Sequence, residues 1–106
     1  MPRFVGPLDA ELAAEAAAGL AHAGRRLRRA LDALAAFDAA RRGRAGCDAE
    51  HRRHLVADAA EAYWGYVVQR ELLGLQDAEY IGREYGVPPE VRLAMGPRVG
   101  RRSRRG

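Results

Sequence analysis

The side chains best equipped for chemistry cluster at Cys47, His51, His54 and Asp58. A thiolate with two imidazoles three residues apart on one helix face is a zinc-like ligand set. Two features argue against it. Cys47 precedes the helix and has no second cysteine to join it, and Arg52 and Arg53 stand among the ligands and oppose a cation. A solvated helix start is the expectation, with no metal and no cofactor. Nucleophiles are equally sparse: there is no Lys or Thr, the only Ser is Ser103 near the C-terminus, and Cys47 has only nearby histidines to activate it. Carboxylates are plentiful, but no pair of them is spaced for acid–base work on a buried face. A non-enzymatic protein is expected.

The other residue that stands out is Arg70, within Gln69-Arg70-Glu71. On a helical wheel it falls between Tyr63, Tyr66 and Val67, in the middle of an apolar face. A buried guanidinium without a partner is expensive, so a buried ion pair is expected, with Glu15, Asp77, Glu79 or Glu84 as the carboxylate. The functional alternative is a ligand-binding arginine in a small pocket. Asp38, also on an apolar stripe, is expected to face Arg52 or Arg53 in a structural pair.

These residues need helices to position them. Ala supplies about a fifth of the 106 residues, and β-branched residues are few, so the chain is expected to be all-α. Asp9 reads as an N-cap for a helix over about 10–42, with Leu12, Ala16, Leu20, Ala23, Leu27, Ala30, Leu31, Leu34 and Phe37 in one stripe. Glu11, His22, Arg25, Arg28, Arg29 and Asp32 point away from it. Small residues at 16, 23 and 24 leave room for a partner helix.

Asp48 caps a second helix over about 49–73, which Gly74 ends. Its apolar face carries Val56, Ala59, Ala60, Tyr63, Tyr66, Val67 and Leu73, while Trp64, Val68 and Leu72 lie on the far side. The 63–73 segment is thus apolar almost all round, and Trp64, Val68 and Leu72 become the candidate interface. Two shorter helices follow, about 77–85 and 89–95, ended by Gly86 and by Gly96-Pro97. The expected architecture is a long antiparallel helical hairpin in which facing residues have numbers summing to about 91. The short C-terminal helices cover one side, and a homodimer completes a helical bundle. Residues 1–97 form a single domain in this reading.

The stretch YIGREYGVPPEVRLAMG, Tyr80 to Gly96, has the outline of a helix-turn-helix. Gly82, four before Gly86, fits that pattern, but Arg92 stands where a core apolar residue is required, and the second helix is short for a major groove. Its exposed face offers Glu90 and Arg92 and little else to base edges. A packing arm is the better account, with the segment over 77–96 a degenerate helix-turn-helix at most.

The net charge of +4 divides unevenly. Arg98, Arg101, Arg102, Arg104 and Arg105 occupy the tail over 98–106, which has no acid; subtracting these five from +4 leaves the body at −1. The tail is expected to be disordered, and its arginines are possible phosphate-binding residues. One cysteine excludes an intramolecular disulfide, and neither a secretory leader nor an apolar run long enough for a bilayer is evident. A cytoplasmic protein without membrane contact is expected.

Through AYWGYVVQRELLGL and YGVPPEVRLAMG the chain resembles a group of small uncharacterised all-helical bacterial proteins, particularly alphaproteobacterial, that share a domain of unknown function. The resemblance covers roughly residues 8–96. It implies a helical fold and carries no activity, cofactor or site. The functional expectation is a helical interaction protein that forms a homodimer or binds an unknown protein partner. The alternative is a nucleic-acid-associated protein whose Arg tail, with Arg25, Arg28 and Arg29, neutralises phosphates.

Overall fold

The computed structural model describes residues 7–41, 48–75 and 78–95. Cys47, Asp77, Gly96, Pro97 and the five tail arginines lie outside the described residues. Four helices follow in order: α1 (Pro7–Arg41), α2 (Ala49–Leu72), α3 (Ala78–Tyr85) and α4 (Pro89–Leu93). No strand occurs among the described residues.

α1 starts earlier than Asp9 suggests. Pro7 opens the helix, where its fixed φ suits a first turn and its missing N–H costs nothing; Asp9 lies inside that turn, where its charge favours the helix dipole. α2 starts as expected, with the His51 amide donating to the Asp48 carboxylate at 3.1 Å. α2 and α3 end in the same way. Gly74 and Gly86 take φ of +79° and +65°, the left-handed region that a Cβ disfavours. Beyond each glycine the next amide folds back onto the helix: Leu75 donates to the Arg70 carbonyl at 2.7 Å, and Val87 to that of Gly82 at 2.9 Å. Pro88 and Pro89 then start α4, with Pro89 in its first turn.

α1 and α2 form the antiparallel hairpin. Its register follows from Asp38 on Arg52, Phe37 against His51, and Arg26 beside Gly65, pairs whose numbers sum to between 88 and 91. Leu27, Leu31 and Leu34 of α1 bury themselves against Ala59, Ala60, Ala62, Tyr63, Tyr66 and Val67 of α2. All six residues expected to point away from the α1 stripe are exposed.

Two expected core residues are exposed, and Ala16 and Phe37 are half-buried outside the core cluster. Leu12 is 54% and Leu73 41% exposed. The reason is length. α1 has 35 residues and spans about 52 Å, but α2 has 24, so the first three turns of α1 run past its end with none of the described helices opposite. Leu12 is on the correct stripe of a helix that has lost its partner, and Leu73 is where that partner stops.

The C-terminal segment closes one side of the hairpin. Ile81 of α3, Val87 of the connection and Val91 of α4 are buried in the common core. The Tyr63 hydroxyl donates to the Ala78 carbonyl at 2.9 Å and ties α3 to α2. Burial pushes the Tyr63 pKa up, which keeps that donor protonated.

Candidate functional site

Trp64, Val68 and Leu72 lie four residues apart on α2, opposite the residues packed on α1. Leu72 is 77% exposed, Trp64 is partly exposed and Val68 half-buried. They are part of a wider apolar surface. Leu8 and Leu12 on the overhanging start of α1, and Leu73 and Leu75 after α2, are exposed at the same end of the hairpin. Only Tyr80 and Leu93 complete the set of large exposed apolar side chains among the described residues. Concentration at one end, rather than exposure of any single leucine, is what distinguishes the surface.

Arg70 is half-buried on the inner side of α2. Its guanidinium carbon lies 6.0 Å from the centre of the Tyr66 ring, a weak cation–π contact. Its Nε is closed off from solvent and has no hydrogen-bond partner among the described residues. Of the four carboxylates considered for it, Glu15, Glu79 and Glu84 are described and none forms an ion pair with it; Asp77 lies outside the described residues.

The principal charge cluster is elsewhere. Arg52 donates from Nε and Nη2 to the Asp38 carboxylate at 2.8 and 3.0 Å, as the hairpin register required. The same guanidinium donates from Nη1 and Nη2 to Glu90 at 3.1 and 2.6 Å. One side chain therefore joins α1, α2 and α4. Hydrogen bonds from Arg52 hold the Glu90 carboxyl below the usual carboxylate range. This cluster fastens the C-terminal arm to the hairpin. With α4 only five residues, about 7.5 Å, and its Val91 buried, the arm packs inward.

Cys47 lies outside the described residues, and the two histidines considered with it have separate neighbours. His51 stacks at a tilt on Phe37, ring centres 5.0 Å apart, and His54 lies 3.7 Å from Glu50 on an exposed turn. No group of three metal-ligating side chains occurs among the described residues. No described helix is long and apolar enough to cross a membrane.

Sequence reasoning missed one constellation. A groove of about 540 Å³ runs along α1 beside Tyr66 of α2 and Tyr85 of α3. Ala17, Leu20, Ala21 and Gly24 form its α1 wall, and Arg25 and Arg28 edge it. The two tyrosine rings meet edge to face at 5.4 Å, and the Tyr85 hydroxyl donates to that of Tyr66 across a long 3.5 Å. Arg28 lies over the Tyr85 ring at 4.9 Å and donates to the Tyr85 carbonyl at 3.3 Å. Gly24 makes the arrangement possible, since a Cβ there would stand 3.0 Å from the Tyr85 hydroxyl and 3.3 Å from the Tyr66 ring. The signal available in the sequence was a glycine inside a long helix, facing tyrosines from two other helices.

A family model described as "Family of unknown function (DUF6665)" matches residues 5–103. That span is nearly the whole chain, so the chain belongs to this family. It extends beyond the 8–96 expected from the sequence and takes in Arg98, Arg101 and Arg102. No curated protein and no solved structure matches the chain.

Proposed function

We propose that this member of the DUF6665 family is a non-enzymatic interaction protein that forms a homodimer through the outer face of α2. The observation that carries this reading is the gathering of Trp64, Leu72, Leu73 and Leu75 with the unpartnered Leu8 and Leu12 at one end of the hairpin. In a two-fold pair the overhang of α1 from one copy can lie along the outer face of α2 from the other, so each copy covers what its partner leaves open. Burying such side chains is worth about 1.5–3 kcal/mol each, and apolar surface is what an obligate interface is made of. The scarcity of nucleophiles in the sequence supports the non-enzymatic part.

The test is mass in solution by light scattering at about 50 µM, a concentration at which a moderately tight dimer dominates. Wild type is expected at twice the 11.6 kDa chain mass, with Trp64→Ala and Leu72→Glu shifted toward one chain. A wild-type monomer overturns the proposal. So does a dimer that neither substitution weakens.

A second reading draws support from the reach of the family match into the arginines after residue 97. In it the tail neutralises phosphates of a nucleic acid. Full-length protein binding duplex DNA through all five arginines would show a slope of about −4.5 in log K against log salt, lost when all five become Ala. A flat or unmeasurable response in both proteins removes this reading.

A further inference from the structure

The groove between α1 and the Tyr66–Tyr85 pair has the composition of a ligand site independent of the α2 outer face. Two of its lining residues are cationic and none is anionic. The charges are not equivalent. Arg28 is engaged by the Tyr85 carbonyl and by Asp32 at 3.7 Å. Arg25 is exposed and makes no hydrogen bond or ion pair among the described residues. The tyrosines are similarly asymmetric. Tyr85 spends its proton on Tyr66, which leaves the Tyr66 hydroxyl with a proton and no acceptor among the described residues. Its neighbours on the α1 side, Ala17, Leu20 and Ala21, present only hydrocarbon. The groove thus combines a cation and a hydroxyl donor, both unpaired among the described residues, with an apolar wall in a shallow, open surface depression.

We propose that this groove binds a small organic anion with a flat apolar body, its anionic group taken by Arg25 and the Tyr66 hydroxyl and its body laid on Leu20 and Ala21. A guanidinium and a phenol together favour a carboxylate, sulfonate or phosphate oxygen over a neutral acceptor, because charge-assisted hydrogen bonds are about twice as strong as neutral ones. A bare inorganic anion would leave the apolar wall unused. Gly24 has a definite part: it allows Tyr66 and Tyr85 to approach α1 closely and so sets the floor of the site.

The test uses the full chain and anilinonaphthalene sulfonate, a fluorescent aromatic monoanion, with phenylnaphthylamine as its neutral counterpart. Saturable binding of one sulfonate per chain is expected, about tenfold tighter than the neutral compound. Ala21→Trp fills the groove from an exposed position and should abolish binding with helicity and melting unchanged. Arg25→Glu, on the solvent face, should weaken binding about tenfold and keeps the test decisive if the tryptophan variant folds poorly. Arg53→Glu makes the same charge reversal on an exposed turn outside the groove and should bind as wild type. Binding that is non-saturable, that is indifferent to charge, that survives both groove substitutions, or that weakens equally with Arg53→Glu overturns the assignment.

Discussion

Arg52 stands between Asp38 and Glu90 and gives each carboxylate two hydrogen bonds, at 2.8 and 3.0 Å to the first and 3.1 and 2.6 Å to the second. A planar guanidinium can do this because its five N–H groups fan out in one plane, whereas an ammonium offers a single point of charge. The three side chains come from α2, α1 and α4, so the cluster decides how the short C-terminal helix is set against the hairpin. All three are half-exposed, which limits what the charges contribute.

Replacing Arg52 by Ala leaves two carboxylates facing each other and should cost about 1–2 kcal/mol in urea denaturation. Arg52→Lys should recover less than half of that, because a lysine cannot serve both carboxylates with paired bonds. Full recovery by Lys would reduce the cluster to simple charge attraction.

The same cluster sets a pH dependence. The folded-state pKa of Glu90 is lowered by Arg52, so its contribution is fully present above the ordinary carboxylate value and is lost as pH falls through the lowered one. The pKa of Arg52 is raised, and its contribution is lost only in strong alkali. Urea midpoints should therefore decline below about pH 4.3, and Glu90→Gln should flatten that decline by up to about 1 kcal/mol. An unchanged acid limb in the Gln variant would show that Glu90 is not linked to folding.

Two glycines inside α1 should respond to alanine with opposite signs. At Gly19 an added Cβ meets only the end of the Gln69 side chain, at 3.9–4.0 Å, so the gain in helix propensity, up to about 1 kcal/mol, should appear as added stability. At Gly24 the Cβ meets the Tyr85 hydroxyl at 3.0 Å and the Tyr66 ring at 3.3 Å, in the packed layer. Overpacking there costs about 1–3 kcal/mol and outweighs the propensity gain. Thermal melts of Gly19→Ala and Gly24→Ala should move up and down respectively; a common direction would show that propensity or packing acts alone.

What was legible in the sequence were the features whose chemistry is local. Asp48, Gly74, Gly86 and Pro89 each fix an element boundary by what their own backbone or side chain can do within a turn. Asp38 on Arg52 was legible because an antiparallel register pairs residues by a simple sum. Glu90 escaped because its arrival depends on the path of the chain from α2 to α4, which no periodicity encodes. Leu12 and Leu73 were misplaced for a related reason: a helical wheel assigns a face but not where the opposing helix ends. The groove escaped since Gly24, Tyr66 and Tyr85 each read alone as ordinary packing residues, and only the assembled fold leaves space beside them.

Arg70 offers the sharpest comparison of the two ways of placing a charge. A guanidinium paired with a buried carboxylate loses about 3–5 kcal/mol when it is removed, because the partner is left uncompensated. In the structure its Nε has no acceptor among the described residues, and Tyr66 supplies only a distant ring. The desolvation cost of the guanidinium is then poorly offset, and the aliphatic stem contributes most of what the residue gives to the fold. Methionine keeps the stem and removes the charge. Arg70→Met should accordingly change the unfolding free energy by no more than about 1 kcal/mol, in either direction. A loss of several kcal/mol in equilibrium denaturation would place a carboxylate on Arg70, and Asp77→Asn should then reproduce that loss if the carboxylate is Asp77.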